Sequence, residues 1–70
     1  MRDWLRELRG SMTCKEFGKM LGISEQYYWL IEQGYRQKRM GVDLLTKIAK
    51  ATKKPIKKLL EAENAYRENH

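Results

Sequence analysis

Apolar residues recur along this chain at spacings of three and four, and no stretch alternates in twos. That is the periodicity of helices with one buried face, not of strands. Trp4, Leu5 and Leu8 put a stripe on a short first helix that Gly10-Ser11 ends. Phe17, Met20 and Leu21 mark a second helix over about Thr13–Leu21. Tyr28 and Ile31 give an inward stripe to a third, about Ser24–Gln33, which Gly34 stops. Leu44, Leu45, Ile48, Ala49 and Thr52 mark a fourth over about Val42–Thr52. Pro55 suits the first turn of a fifth helix, whose stripe of Ile56, Leu59, Leu60 and Tyr66 carries it to about Arg67. The pattern predicts an all-α, compact five-helix fold. It forms one domain over 1–70, with a core at about 4–60 and the last few residues frayed.

The stretch 13–34 carries the most specific signal. Thr13 is a helix N-cap, with Glu16 three residues later to close a capping box. Gly22-Ile23-Ser24 ends one helix and caps the next. Gly18 sits among the inward residues with almost no side chain, where two helices that cross closely need room. Its alternative reading is a weak spot costing ~1 kcal/mol relative to Ala. A glycine turn and a short second helix beside such a residue predict a helix-turn-helix, whose second helix fits the DNA major groove.

Composition narrows the class. Seventy residues bury only ~60% of their unfolded surface, so stability is thin and dimerisation would support it. A single cysteine excludes an internal disulfide, and a single histidine, His70, leaves no zinc set. No run of 18 apolar residues and no apolar leader is present, so the cytosol is the expected compartment. Fifteen Lys/Arg against nine Asp/Glu give a net charge of +6, which favours a polyanionic partner. Arg36, Lys38 and Arg39 cluster just after the third helix. Lys47, Lys50, Lys54, Lys57 and Lys58 read either as a solvated helix side or as a source of long-range attraction.

With Tyr28 and Ile31 inward, the third helix presents Glu25, Gln26, Tyr27, Trp29, Leu30 and Gln33 outward. Gln26 can pair bidentately with adenine, and Glu25 can only accept, so its base partner would be the cytosine amino group. Leu30, Tyr27 or Trp29 could pack on thymine methyls. Tyr27 and Trp29 could equally pack on a neighbouring chain, and Leu30 could serve a core or a dimer. The N-terminus of the second helix suits a phosphate, and Arg36, Lys38 and Arg39 can reach one strand's backbone. Cys14 sits in that first turn, where a thiol's pKa can fall, so a redox role is conceivable beside the bland reading of a small first-turn residue. No base stands beside it for nucleophilic catalysis. No paired acid and base, metal set or phosphate loop is present, so an enzyme is not expected.

The segments LRELR at 5–9, TCKEFGKMLGIS at 13–24, YYWLIEQG at 27–34 and LLTKIAKATKKPIKKLL at 44–60 resemble the Cro/CI-type (XRE, lambda-repressor-like) DNA-binding domain. The resemblance spans about four-fifths of the chain, and the spacing Gly18, Gly22, Ile31-Glu32, Gly34 is its most specific part. It implies five helices, a homodimer and sequence-specific duplex binding, usually as a repressor. Ser24, Glu25, Gln26 and Leu30 then fall at positions facing bases or adjacent phosphates, and Gln33 at a phosphate-contact position. Thr13 and Cys14 fall at the phosphate-facing helix start, although Cys14 replaces the family's frequent glutamine. Glu32 matches an acid that pairs with a first-helix arginine, Arg9 or, failing that, Arg6. Tyr28 replaces an aliphatic core residue, so its hydroxyl needs a partner. Lys53 stands where glycine normally ends the fourth helix, and Gly41 where a serine cap is common.

The expected protein is a dimeric, cofactor-free transcriptional regulator of palindromic duplex sites, with Ile56, Leu59, Leu60 and Tyr66 serving the core, the dimer seam or both. Prophage immunity, mobile elements, restriction-modification control and toxin–antitoxin pairs are its candidate settings. The alternative is a protein-interaction module, such as an antitoxin or adaptor, anchored by Tyr27, Trp29 and Leu30.

Overall fold

The computed structural model describes residues 1–69, and these form helices and no strand. In chain order they are α1 (Asp3–Arg9), α2 (Cys14–Leu21), α3 (Glu25–Gln33), α4 (Val42–Thr52) and α5 (Ile56–Glu68). All the expected helices are present. Thr13 and Ser24 are the N-caps of α2 and α3, as expected, and Pro55 is the N-cap of α5 rather than a residue of its first turn. The fraying expected at His70 lies outside the described residues, and α5 stays helical through Glu68. No helix among the described residues is long and apolar enough to cross a membrane. The chain divides into two compact units, Met1–Lys38 and the remainder from Arg39.

In the first unit α3 packs against both α1 and α2. Leu5, Phe17, Leu21, Tyr28 and Ile31 are buried there. Each such side chain contributes ~1.5–3 kcal/mol on leaving water. The edge of one ring meets the face of the other in the Phe17–Tyr28 pair, with centroids 5.1 Å apart and planes at 62°. Met20, expected in the inward stripe, is 45% exposed. The buried stripe of α2 is Phe17, Gly18 and Leu21 instead. A helix advances ~100° per residue, so turning Gly18 inward swings Met20 to the flank.

The α2–α3 connection follows from local chemistry. Thr13 Oγ1 accepts from the Glu16 amide at 3.0 Å, and the Glu16 carboxylate accepts from the Thr13 amide at 2.9 Å, closing the expected box. Gly22 ends α2 with φ 75°, a left-handed conformation that a side chain disfavours. Ser24 Oγ then accepts from the Tyr27 amide at 3.0 Å to start α3. Gly18 is buried because the chain folds back onto it. A Cβ placed there would lie 3.1 Å from the Ile23 carbonyl oxygen and 3.2 Å from that of Ser24. The close approach is therefore to the turn and the cap of α3, both backbone.

In the second unit α4 packs on α5, and Leu45, Ile48 and Leu59 are buried. Met40 and Glu63 are buried as well. Gly41 caps α4 without a side-chain bond, and Lys53 ends it in the left-handed conformation at φ 59°. The expected stripe on α5 is corrected. Leu59 and Glu63 point inward and Tyr66 is half-buried, whereas Ile56 is 41% and Leu60 46% exposed. Leu60 follows Leu59 by one residue, which carries it to the flank of the buried face.

Candidate functional site

The outer face of α3 is held in place by charged residues buried behind it. Glu32, one turn after Tyr28 on α3, is 2% exposed. Its carboxylate accepts from Arg9 Nε at 2.9 Å, from Arg9 Nη2 at 3.1 Å and from the Tyr28 hydroxyl at 2.5 Å. Arg9 also donates from Nη1 to the Met12 carbonyl at 2.7 Å. The fork-to-fork geometry joins the end of α1 to α3 with fixed orientation. Arg9 rather than Arg6 is thus the first-helix partner. The Tyr28 hydroxyl has the partner it needed.

The electrostatics agree with the geometry. The hydrogen bond to Glu32 raises the Arg9 guanidinium well above its ordinary pKa. Burial, reinforced by the hydrogen bond to Glu32, pushes the Tyr28 hydroxyl well above the usual phenol range.

Arg2 is a second fastener, and nothing in the pattern announced it. It is fully buried. Its Nη1 donates to the Ile31 carbonyl at 2.5 Å and to the Arg36 carbonyl at 3.3 Å, and its Nη2 donates to the Gln37 carbonyl. Its backbone amide donates to the Glu32 carbonyl at 2.7 Å. The last carbonyls of a helix lack internal partners and carry its negative dipole end. α3 has no basic residue in its own last turn. Arg2 supplies that cation from the far end of the unit. The absent cation was the only signal in the sequence, and it does not say where a substitute comes from.

The base-facing candidates fall into two groups. Glu25 and Gln26 are exposed on the first turn of α3. Trp29 is 45% exposed, its ring centroid 6.1 Å from that of Tyr35. Cys14, Glu25, Gln26 and Trp29 together line an open hollow of about 300 Å³. The other group is engaged within the unit. The Tyr27 hydroxyl accepts from Gln37 Nε2 at 2.9 Å, so this half-buried ring is tied to the segment after α3. The Ser24 hydroxyl is the α3 cap, and Leu30 is half-buried.

The phosphate-facing candidates divide likewise. Thr13 is committed to its capping box, which leaves the outermost amides of α2, at Cys14 and Lys15, directed along the helix axis. Accepting the Thr13 amide holds the Glu16 carboxyl below its ordinary pKa. Gln33 is half-buried, with Nε2 3.5 Å from the Met1 sulfur. Arg36 and Lys38 are exposed on the segment that follows α3. Arg39 is exposed as well and opens the second unit. The direction of the Cys14 shift goes with the bland reading of a small first-turn residue rather than with an acidified thiol. Burial pushes the Cys14 pKa up, against the opposing effect of the Arg9 charge.

No family model matches this chain, and neither a curated protein nor a solved structure matches it significantly.

Proposed function

We propose that this protein is a helix-turn-helix DNA-binding regulator of the Cro/CI type that recognises a palindromic duplex site as a homodimer. One observation carries the reading. A capped helix and a glycine turn hold α3 so that Glu25, Gln26 and Trp29 project from its first turns, while Arg9, Glu32 and Arg2 fix its back and its end. A recognition helix reads base edges from its N-terminal residues. The outermost α2 amides and the exposed Arg36 and Lys38 are suited to phosphates. The net charge of +6 supplies attraction at range. Exposed Ile56 and Leu60 offer α5 an apolar seam for a second copy. A cytoplasmic repressor fits these features.

Binding of selected duplexes measured against salt tests the reading. Each neutralised phosphate adds about −0.9 to the slope of log K against log salt, and a dimer doubles the contacts. Gln26→Ala should relax preference at one base position by ~1–3 kcal/mol. Absent or salt-independent binding rejects the proposal. The exposed Trp29–Tyr35 aromatic pair favours one other reading, a surface for a protein partner. Under it, substituting Trp29 abolishes partner capture while DNA binding is never seen.

A further inference from the structure

The hollow between the start of α2 and the outer face of α3 has an unusual lining for a base-reading surface. Its lining is mostly apolar, and Trp29 and Cys14 share it with one carboxylate, Glu25, and one amide, Gln26. Glu25, Gln26 and Trp29 lie at i, i+1 and i+4 on α3, so the acid and the indole are neighbours on one face. Cys14 approaches from α2. It is a free, half-buried cysteine, and a thiol packs as a small hydrophobe.

The major-groove edges of the bases decide which partner fits. Cytosine presents its N4 amino donor, and thymine presents an O4 acceptor beside its C5 methyl group. A carboxylate accepts from the first and repels the second. An apolar hollow beside that carboxylate wants a methyl group at C5. Unmodified cytosine satisfies the acid and leaves the hollow unfilled. Thymine fills the hollow and opposes the acid. One base satisfies both.

We propose that this hollow reads 5-methylcytosine in duplex DNA, with Glu25 accepting from the N4 amino group and the C5 methyl seated against Trp29 and Cys14. Gln26 beside them reads the neighbouring base edge. The inference deepens the duplex-binding reading and rests on it. It makes the protein a sensor of cytosine methylation at its site.

The test is selection from two random duplex pools, one synthesised with cytosine and one with 5-methylcytosine throughout, followed by titration of the winning site. Versions of that site carrying cytosine, 5-methylcytosine or thymine at the contacted position are compared. The methylated site should bind about fourfold tighter than the unmodified one, the equivalent of burying one methyl group (~0.8 kcal/mol). Thymine should bind about tenfold weaker than 5-methylcytosine. Trp29→Ala should bring the methyl preference to about one, whereas Trp29→Phe, which keeps an apolar wall, should retain it. Glu25→Gln should erase the discrimination against thymine and keep the preference for methylation, because an amide can face either base. Salt-dependent binding with equal affinity for cytosine and 5-methylcytosine, or a winning site with thymine at that position, overturns this inference and leaves duplex binding standing. Failure to select any site from either pool overturns both.

Discussion

Arg2 and Glu32 are both charged and both withdrawn from water, and each is matched by several partners. Among the described residues no buried side-chain nitrogen or oxygen lacks a hydrogen bond. That matters because a buried group left unpaired costs ~1–3 kcal/mol, and more when charged. Arg2→Ala removes the side-chain donor to the carbonyls of Ile31, Arg36 and Gln37, of which Ile31 keeps the Gly34 amide, and empties its own volume. It should lower stability by ~2–4 kcal/mol in urea denaturation. Arg2→Lys, which keeps the charge and loses the fork, should recover only part. Tyr28 supports a pH prediction. Its pKa is raised in the folded chain, so the folded state holds this proton where the unfolded state has released it. The associated stability is present in full below about pH 10 and is lost as pH rises beyond it. Wild type should therefore lose stability between about pH 9.5 and 11.5 more steeply than Tyr28→Phe. Equal alkaline slopes would contradict the burial of the Tyr28 hydroxyl against Glu32. At this scale the sequence spoke unevenly. Glu32 and Arg9 were legible through their spacing in a known pattern, and Tyr28 through its hydroxyl. Arg2 and Glu63 were not, because burial of a charge depends on partners that are distant in the chain or set by packing.

The elements were legible where their causes are local. Thr13 with Glu16, Gly22, Ser24 and Gly34 fix the limits of α2 and α3 through bonds spanning a few residues. Stripes were less legible, because an apolar residue one position off the buried face still fits a loose period. Met20 and Leu60 were misplaced for that reason. Gly18 shows the opposite case, a residue whose meaning lies in what it lacks. Gly18→Ala gains ~1 kcal/mol of intrinsic helix propensity. It also pushes a methyl against two backbone oxygens at 3.1 and 3.2 Å that no rotamer change can move. The net effect should be destabilising by ~1–3 kcal/mol. Affinity for duplex should fall further than that loss of folded protein explains, since the angle between α2 and α3 opens. A variant as stable as wild type would mean that the turn relaxes freely.

For the whole molecule, the proposed dimer and duplex contacts depend on net charge and exposed apolar surface. Leu60→Glu places a like charge at the twofold seam proposed for α5 while leaving the buried Leu59 alone. Sedimentation should show a dimer for wild type and a monomer for the variant, with the salt dependence of duplex binding halved in slope. A wild-type monomer would remove α5 from the assembly. The sequence could indicate such surfaces only by composition, since exposure is a property of the folded chain. Arg2 has a consequence of another kind, in the order of synthesis. Its acceptors at Ile31, Arg36 and Gln37 lie 29, 34 and 35 residues downstream. At ~5–20 residues per second, the ribosome takes about 2–7 s to supply them. During that interval α1 has been made and α3 has no cation at its end. Arg2 thus waits for acceptors made well after it, and the nascent α3 stays loose until the segment beyond it exists.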